Sequence, residues 1–367
     1  VVTAAIAFTR YGPLGASSRM RFMQFASPLA RLGVSISLQP LMADAYVAAL
    51  QNGGRPRAMA LAAYAFRTKA AVQARSSRAA EVWWIEKELF PWVPGPLEAL
   101  AWPRGTPVVL DYDDAVFHQA DQHRNPVVRH LLANKHAGLM RRATAVVVGN
   151  DYLAAYARAA GARRVEVVPT VVDLARYPQS KHHLQTASKP VAGWIGQAST
   201  AGYLHQLASV FSQLRLEDVL RFTAIGIDTE ALGLPMTSVA WSAESEAQSI
   251  ASLDIGVMPL HDSPFERGKC GYKLIQYMAC GLPVVASPVG VNRQIVEHGV
   301  NGFLASTPDE WAQALRALAA DPALRARMGA AGRAKVERHY TTDVAAPRLA
   351  SLLHEVAGHS PAAERVL

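Results

Sequence analysis

The sequence predicts an α/β protein built as two Rossmann-like halves, each a parallel sheet covered by helices on both faces. Three observations lead there. Short apolar runs alternate with longer stretches of helical spacing along the whole chain. The alternation is interrupted once, at YPQSKHHLQTASKP (residues 177–190), which is polar, holds two prolines and has no apolar period. The 367 residues are also too many for one ordinary domain and suit two.

In the first half the expected strands are residues 4–8, 34–38, 82–85, 108–110, 145–148 and 165–168, with helices at 19–32 and 151–160 among the segments between them. In the second half they are residues 191–195, 221–225, 238–241, 254–259, 283–286 and 302–304. Helices are expected there at 203–213, 246–252, 273–280, 292–298, 308–319 and 322–339. The opening VVTAAIAFTR has no basic flank before it and reads as a first buried strand, not as a signal peptide. No apolar run reaches the length of a transmembrane helix, so a cytoplasmic protein is expected. The two cysteines, Cys270 and Cys280, build neither a disulfide framework nor a zinc pattern and are expected to be reduced. His182 and His183 lack a third ligand at useful spacing and read as loop residues.

The formal charge of +8 is carried entirely by the first half, where 22 Lys and Arg face 12 Asp and Glu up to residue 185. Residues 45–80 contain Arg55, Arg57, Arg67, Lys69, Arg75 and Arg78 and no acidic residue, interleaved with Met59, Leu61, Tyr64, Phe66 and Val72. That pattern fits a basic amphipathic helix able to rest on an anionic membrane surface; a solvated helix face is the alternative. No nucleic-acid-binding motif accompanies the charge, so a nucleic-acid partner is not expected.

Ligands of such folds gather at the carboxyl ends of the strands. After the first strand, Gly12 and Gly15 allow a tight turn into a helix beginning near Ser17 or Ser18. The loop lacks GxGxxG and no acidic residue follows the second strand, which argues against a dinucleotide-dependent oxidoreductase. The densest signal is FERGKCGYKLIQYMACGLPVVASPVG, residues 265–290. There Arg267, Lys269 and Lys273 flank Gly268 and Gly271, so cationic side chains and backbone N–H groups can converge on one anion, a diphosphate by preference. WWIEKELFPW sets Glu86, Lys87 and Glu88 just past one strand. PVVLDYDDAVFH sets Asp111, Asp113, Asp114 and His118 past the next.

These stretches carry a resemblance. DIGVMPL (254–260), YKLIQYMACGLPVVASPVG (272–290), IVEHGVNGFL (295–304) and LRARMGAAGRAKVERHYT (324–341) resemble the donor domain of retaining, family-four nucleotide-sugar glycosyltransferases of the GT-B fold. AVVVGNDYLAAYARAAGARRVEVVPTVVDLARY (145–177) is similar to that family's approach to the domain crossover. The resemblance implies an acceptor-binding domain over residues 1–183, joined by a C-terminal helix within 345–367, and a donor-binding domain over 184–344, with 177–190 as hinge. It implies transfer of a sugar from a nucleotide diphosphate sugar to a glycan or polyprenyl- or lipid-linked acceptor, with retention, without a bound metal and without any other cofactor. A non-catalytic nucleotide-sugar-binding or scaffold protein is the alternative.

By that resemblance the donor is held by Gly15, Gly196, Gln197, Ser199, Thr200, Glu266, Arg267, Gly268, Lys269, Gly271, Lys273 and Gln276, with Lys273 stabilising the leaving diphosphate. The family's two glutamates of this region fall on Gln276 and Gly268, and the family's arginine and lysine after the first strand of the domain fall in WIGQASTAGYL, where no charge stands. Glu266 is the candidate replacement for the first glutamate, and Lys269 and Arg267 for the missing cations. Asp113 or His118 bonds the sugar or receives the acceptor's proton, a local capping role being open for each. Glu86, Glu88 and Asp114 are the acceptor-side candidates. Asp111-Tyr112-Asp113 imitates the metal-binding DxD of the other glycosyltransferase fold, which the C-terminal half does not resemble.

Overall fold

The computed structural model describes residues 2–51, 54, 56–77, 80–179 and 189–359. Two compact units emerge: Val1–Thr170 with Thr342–Leu367, and Val171–Thr341. Residues 171–179 thus pack with the second unit, whereas the sequence ended the first domain at residue 183. Val172 explains this locally, since its N–H donates to Tyr340 O at 3.0 Å. Most of the expected linker, with His182 and His183, lies outside the described residues.

The first unit is built on a six-stranded parallel sheet: β1 (Thr3–Tyr11), β2 (Val34–Met42), β3 (Val82–Glu86), β4 (Val108–Tyr112), β5 (Ala145–Val148) and β6 (Val165–Val167), in the order β2-β1-β3-β4-β5-β6. Strands β3, β4 and β5 are buried throughout, which is why they read as unbroken apolar runs and not as alternations. The connection expected as one helix over 19–32 is three short pieces, Ala16–Arg21, Met23–Phe25 and Ala26–Arg31. The last helix, Thr342–Val356, belongs to this unit.

The second unit repeats the design with β7 (Val191–Ile195), β8 (Arg221–Ile225), β9 (Thr237–Val239), β10 (Ile255–Met258), β11 (Val284–Ala286) and β12 (Gly302–Leu304). Their order is β12-β11-β10-β7-β8-β9, the doubly wound arrangement, and every pairing is parallel. The direction of winding across the sheet reverses between β7 and β10, and in the first unit between β1 and β3. The carboxyl ends of those strands are therefore where a crevice opens in each unit. The helix Tyr272–Ala279 lies against β10 and against the long helix Pro322–His339. That second packing is close enough that a Cβ on Gly329 would fall 1.9 Å from Gly281 O.

The basic segment forms the helix Arg57–Ser76, whose inward face is Arg67, Ala71 and Ala74. Arg67 therefore does not belong to a membrane-facing set. It is buried, donates to Thr9 O and to Gln39 O at 2.9 Å, and lies 5.1 Å from the Phe8 ring centre. Arg55 and Arg78 lie outside the described residues. Among the described residues no helix is long and apolar enough to cross a membrane.

Candidate functional site

At the switch point of the second unit, two loops meet beyond β7 and β10. The first begins at Gly196, where a Cβ would stand 2.3 Å from the Trp194 ring, so only glycine lets the chain turn there. Gln197 and Ser199 are exposed, and Thr200 donates its hydroxyl to Gln197 O at 3.0 Å. This loop brings hydroxyls and amides and no charge. The second loop runs through the short helix Pro264–Arg267, then Gly268, Lys269, Cys270 and Gly271, into the helix Tyr272–Ala279. Gly271 has φ +65°, and a Cβ on it would meet Ile295 Cδ1 at 2.4 Å. Backbone conformation and space both demand glycine here.

Charge reaches the first loop from the second. Lys273 Nζ lies 5.3 Å from the ring centre of Trp194, the penultimate residue of β7. Lys269 Nζ lies 4.9 Å from the Phe265 ring and 5.8 Å from that of Tyr203, the residue that follows the neutral loop. Tyr203 donates to Glu266 Oε1 at 2.6 Å, and Ser263 donates to Oε2. Burial pushes the Glu266 carboxyl up, but those two hydrogen bonds and Lys269 outweigh it, and the group sits below the usual range, ionised. Arg267 is placed differently: it is exposed, with Nε donating to Asp262 Oδ1 at 2.6 Å. Cys270 and Cys280 are both buried free thiols, and burial pushes Cys280 up to about 12.

Gln276 is buried, and its amide is committed within the unit. Nε2 donates to Tyr177 Oη at 3.0 Å and to Glu246 Oε1 at 3.1 Å. Trp241 Nε1 donates to the other oxygen of Glu246 at 2.8 Å, and Tyr177 Oη lies 3.1 Å from Tyr272 Oη. Burial first, and the Glu246 carboxylate second, raise the Tyr177 phenol to about 12, so it stays a donor. Both amide protons expected for a ribose thus have protein partners.

The first unit gathers its chemistry at the ends of β1, β3 and β4. Lys87 Nζ lies 2.7 Å from Asp113 Oδ1 and donates to Ser17 Oγ at 3.0 Å, while Ser17 donates to Asp113 Oδ2. Burial pushes Asp113 up, but Lys87 and Ser17 more than offset this and hold it below the usual range. Glu86 is buried, and its Oε2 accepts from Arg10 N at 2.8 Å and Ser18 Oγ at 2.6 Å, tying β3 to β1 and to the helix that Gly15 caps. A Cβ on Gly15 would lie 2.3 Å from that of Tyr11. Asp111 is held bidentately by Arg21, at 2.7 and 3.2 Å. Both carboxylates of the DxD imitation therefore face protein cations.

His118 stands apart from Asp113 in its bonding. Its Nδ1 is 2.9 Å from Asp121 Oδ2 and its Nε2 2.8 Å from Tyr152 Oη, so both ring nitrogens are engaged locally. Glu88 Oε2 receives Lys135 Nζ at 2.6 Å. Asp114 is half-buried one residue beyond Asp113 and acts on Lys87 through charge. Sequence reasoning missed Ser17, Trp194 and Tyr203. Each is an unremarkable residue in sequence whose role appears only when a second loop reaches it.

Residues 189–321 match the family model described as glycosyl transferases group 1. D-inositol 3-phosphate glycosyltransferase of Xylanimonas cellulosilytica is 36% identical over 111 residues, which are 30% of this chain and 25% of that protein. The match thus spans about a quarter of that relative's length. Sucrose-phosphate synthase from Thermosynechococcus elongatus superposes with a TM-score of 0.72 at 16% identity, covering 97% of this chain and 99% of the other. Anabaena HepE, solved with UDP-glucose, superposes with a TM-score of 0.71 at 18% identity, covering 96% and 99%. Two parallel six-stranded sheets and these superpositions over nearly the whole chain lead to one assignment of architecture, the GT-B fold, within which residues 189–321 match the group 1 glycosyl transferases.

Proposed function

We propose that this chain is a retaining, metal-independent glycosyltransferase that moves a sugar from a nucleotide diphosphate sugar to a glycan or lipid-linked acceptor in cell-surface polysaccharide or glycolipid synthesis. The second unit holds the donor and the first the acceptor. The observation that carries this reading is the reach of Lys273 and Lys269 onto Trp194 and Tyr203 at the β7/β10 switch point. As the bond from sugar to diphosphate breaks, negative charge grows on the phosphate oxygens. Cations fixed beside aromatic rings stabilise that charge more in the transition state than in the ground state. Gly196, Gln197, Ser199 and Thr200 supply neutral donors, and Gly268 and Gly271 let backbone N–H groups approach. The complex of HepE with UDP-glucose supports a nucleotide-sugar donor for this fold.

Asp113, held by Lys87 and Ser17, is the acceptor-side carboxylate we favour over His118, whose ring is already bonded on both sides. The helix Arg57–Ser76 presents Leu61, Phe66 and Val72 outward at 75%, 56% and 59% exposure, beside exposed Arg57, Lys69 and Arg75. With no acid in that helix, the face suits anionic lipid, where a lipid-linked acceptor resides. One observation favours a binding protein without turnover: Gln276 spends both amide protons inside the unit and the loop at Gly196 is uncharged.

A thermal-shift screen with uridine, guanosine and adenosine diphosphates and their sugars, followed by product analysis with and without acceptor, tests the reading. Stabilisation by a nucleoside diphosphate together with release of product supports the enzyme. Stabilisation without product supports the binder, and stabilisation by NAD alone removes both.

A further inference from the structure

The cationic loop rests against a third loop, SPVGVN at residues 287–292, which leaves the end of β11. That loop is anchored at both ends. Ser287 N donates to Met258 O at 3.1 Å and Ser287 Oγ accepts from Leu260 N at 3.0 Å, which fix it to the end of β10. Asn292, 1% exposed, donates Nδ2 to Ser287 O at 3.0 Å and its N–H to Val289 O at 3.1 Å, so the turn is closed on itself.

Two close approaches carry this fixed loop onto the other. Gly290 has φ +51°, and a Cβ on it would stand 2.5 Å from Arg267 O and 3.1 Å from Arg267 C. At Gly271 a Cβ would lie 3.3 Å from Val291 Cγ1 and 3.4 Å from Asn292 Oδ1, besides its contact with Ile295. These contacts bracket Gly268, Lys269 and Cys270. The group opposite Gly290 is a main-chain carbonyl, which cannot swing aside as a side chain can, and Arg267 is itself tied by its N–H to Ser263 O at 3.0 Å. A methyl at 290 therefore has to move main chain, and Lys269 with it.

We propose that Gly290 is a positioning residue for the donor's diphosphate, acting through Lys269 by letting the 287–292 loop seat the main chain that carries this lysine. That the anion is a donor diphosphate rests on the transferase reading above; the seating of Lys269 does not.

Two measurements on the full chain test it. The first needs no ligand: carbon-13 NMR of labelled lysines, with the Lys269 signal assigned by its loss in Lys269→Met. Because Lys269 Nζ lies over the Phe265 ring, ring current is expected to displace its ε-methylene signal upfield. Gly290→Ala should move that signal toward the position of exposed lysines. Gly299→Ala is the control, since Gly299 has φ +82° with nothing within 4 Å of an added Cβ, so it brings backbone strain without a clash.

The second is calorimetric binding of uridine, guanosine and adenosine diphosphates. For whichever binds, Gly290→Ala is expected to weaken binding about tenfold and Gly299→Ala to leave it within about twofold. In a Lys269→Met background Gly290→Ala should add less than about twofold, because the group it positions is gone. Should Gly290→Ala fail to fold, Asn292→Ala loosens the same loop without adding a clash and is expected to act in the same direction. No upfield signal in the wild type, an unmoved signal in folded Gly290→Ala, equal weakening by Gly299→Ala, or the full tenfold loss surviving Lys269→Met overturns the assignment. A moved signal without binding of any nucleoside diphosphate keeps the seating of Lys269 and removes the diphosphate reading.

Discussion

Lys87 Nζ sits 2.7 Å from Asp113 Oδ1, with the lysine side chain 6% and the aspartate side chain 12% exposed. Lys87 also holds a left-handed backbone, φ +62°, so strain and desolvation are both accepted to deliver one ammonium to one carboxylate. Removing the cation leaves a buried charge unpaired. Lys87→Met is expected to lose about 3–5 kcal/mol in denaturant unfolding, and Lys87→Met with Asp113→Leu to recover most of it. A double variant as unstable as the single one would show that the pair is not the source of the loss.

His136 gives a pH prediction of definite sign. Burial pulls its pKa down to about 4, against a smaller upward pull from Glu88, and its Nδ1 is 3.0 Å from Tyr112 Oη. The unfolded chain takes the proton near pH 6.5 and the folded one does not, so stability is whole above that value and falls as pH drops toward 4. The loss over that window is roughly 3 kcal/mol. His136→Gln removes this limb. Stability measured at pH 7 and pH 4.5 should differ less in the variant than in the wild type. Carboxylates that titrate in the same range cancel in the comparison.

Gln276 stands where the resemblance implies a glutamate, and its neighbours in the structure favour the neutral amide. Glu246 Oε1 is already 3.1 Å from the Gln276 amide in a buried setting. A second carboxylate there would force one of the pair to stay protonated. Gln276→Glu is therefore expected to be destabilised by about 2–4 kcal/mol near pH 8 and by less near pH 5, where the shared proton is available. Thermal unfolding across that range checks it, and a loss independent of pH would point to packing instead.

The helix Tyr272–Ala279 and its loop yield a catalytic prediction. If Lys273 stabilises the departing diphosphate, Lys273→Ala should lower kcat by about a hundredfold or more with little change in acceptor KM. Steady-state rates with the donor found by the thermal-shift screen give the answer. A folded variant with unchanged kcat would remove Lys273 from the chemistry.

Much of this was legible from period alone. The strands of both sheets fall where apolar runs placed them, because the central ones are buried on a two-sided parallel sheet and need no partner to be recognised. The cationic loop with Gly271 was legible for the same local reason. Contacts across long separations were not. Gln276 meets Tyr177 from 99 residues away, and Arg67, a surface charge by pattern, turns inward because the carbonyls of Thr9 and Gln39 need a donor. The three-piece connection over 16–31 was also hidden, since its breaks at Phe22 and Phe25 carry no glycine or proline.

The outward face of the helix Arg57–Ser76 leads to the remaining prediction. Leu61, Phe66 and Val72 are exposed on it, so changing all three to serine should leave stability within about 0.5 kcal/mol per site. Their transfer into an acyl boundary is nonetheless favourable by about 1.5–3 kcal/mol each when complete, and each nearby Lys or Arg adds about 1 kcal/mol at an anionic surface. The wild-type chain is expected to co-sediment with phosphatidylglycerol-containing vesicles and much less with pure phosphatidylcholine. Binding should weaken as ionic strength shortens the screening length from about 10 Å at 0.1 M salt to about 3 Å at 1 M. The triple serine variant should bind at least about tenfold less. Equal recovery of wild type and variant on anionic vesicles would show that this face does not meet the lipid.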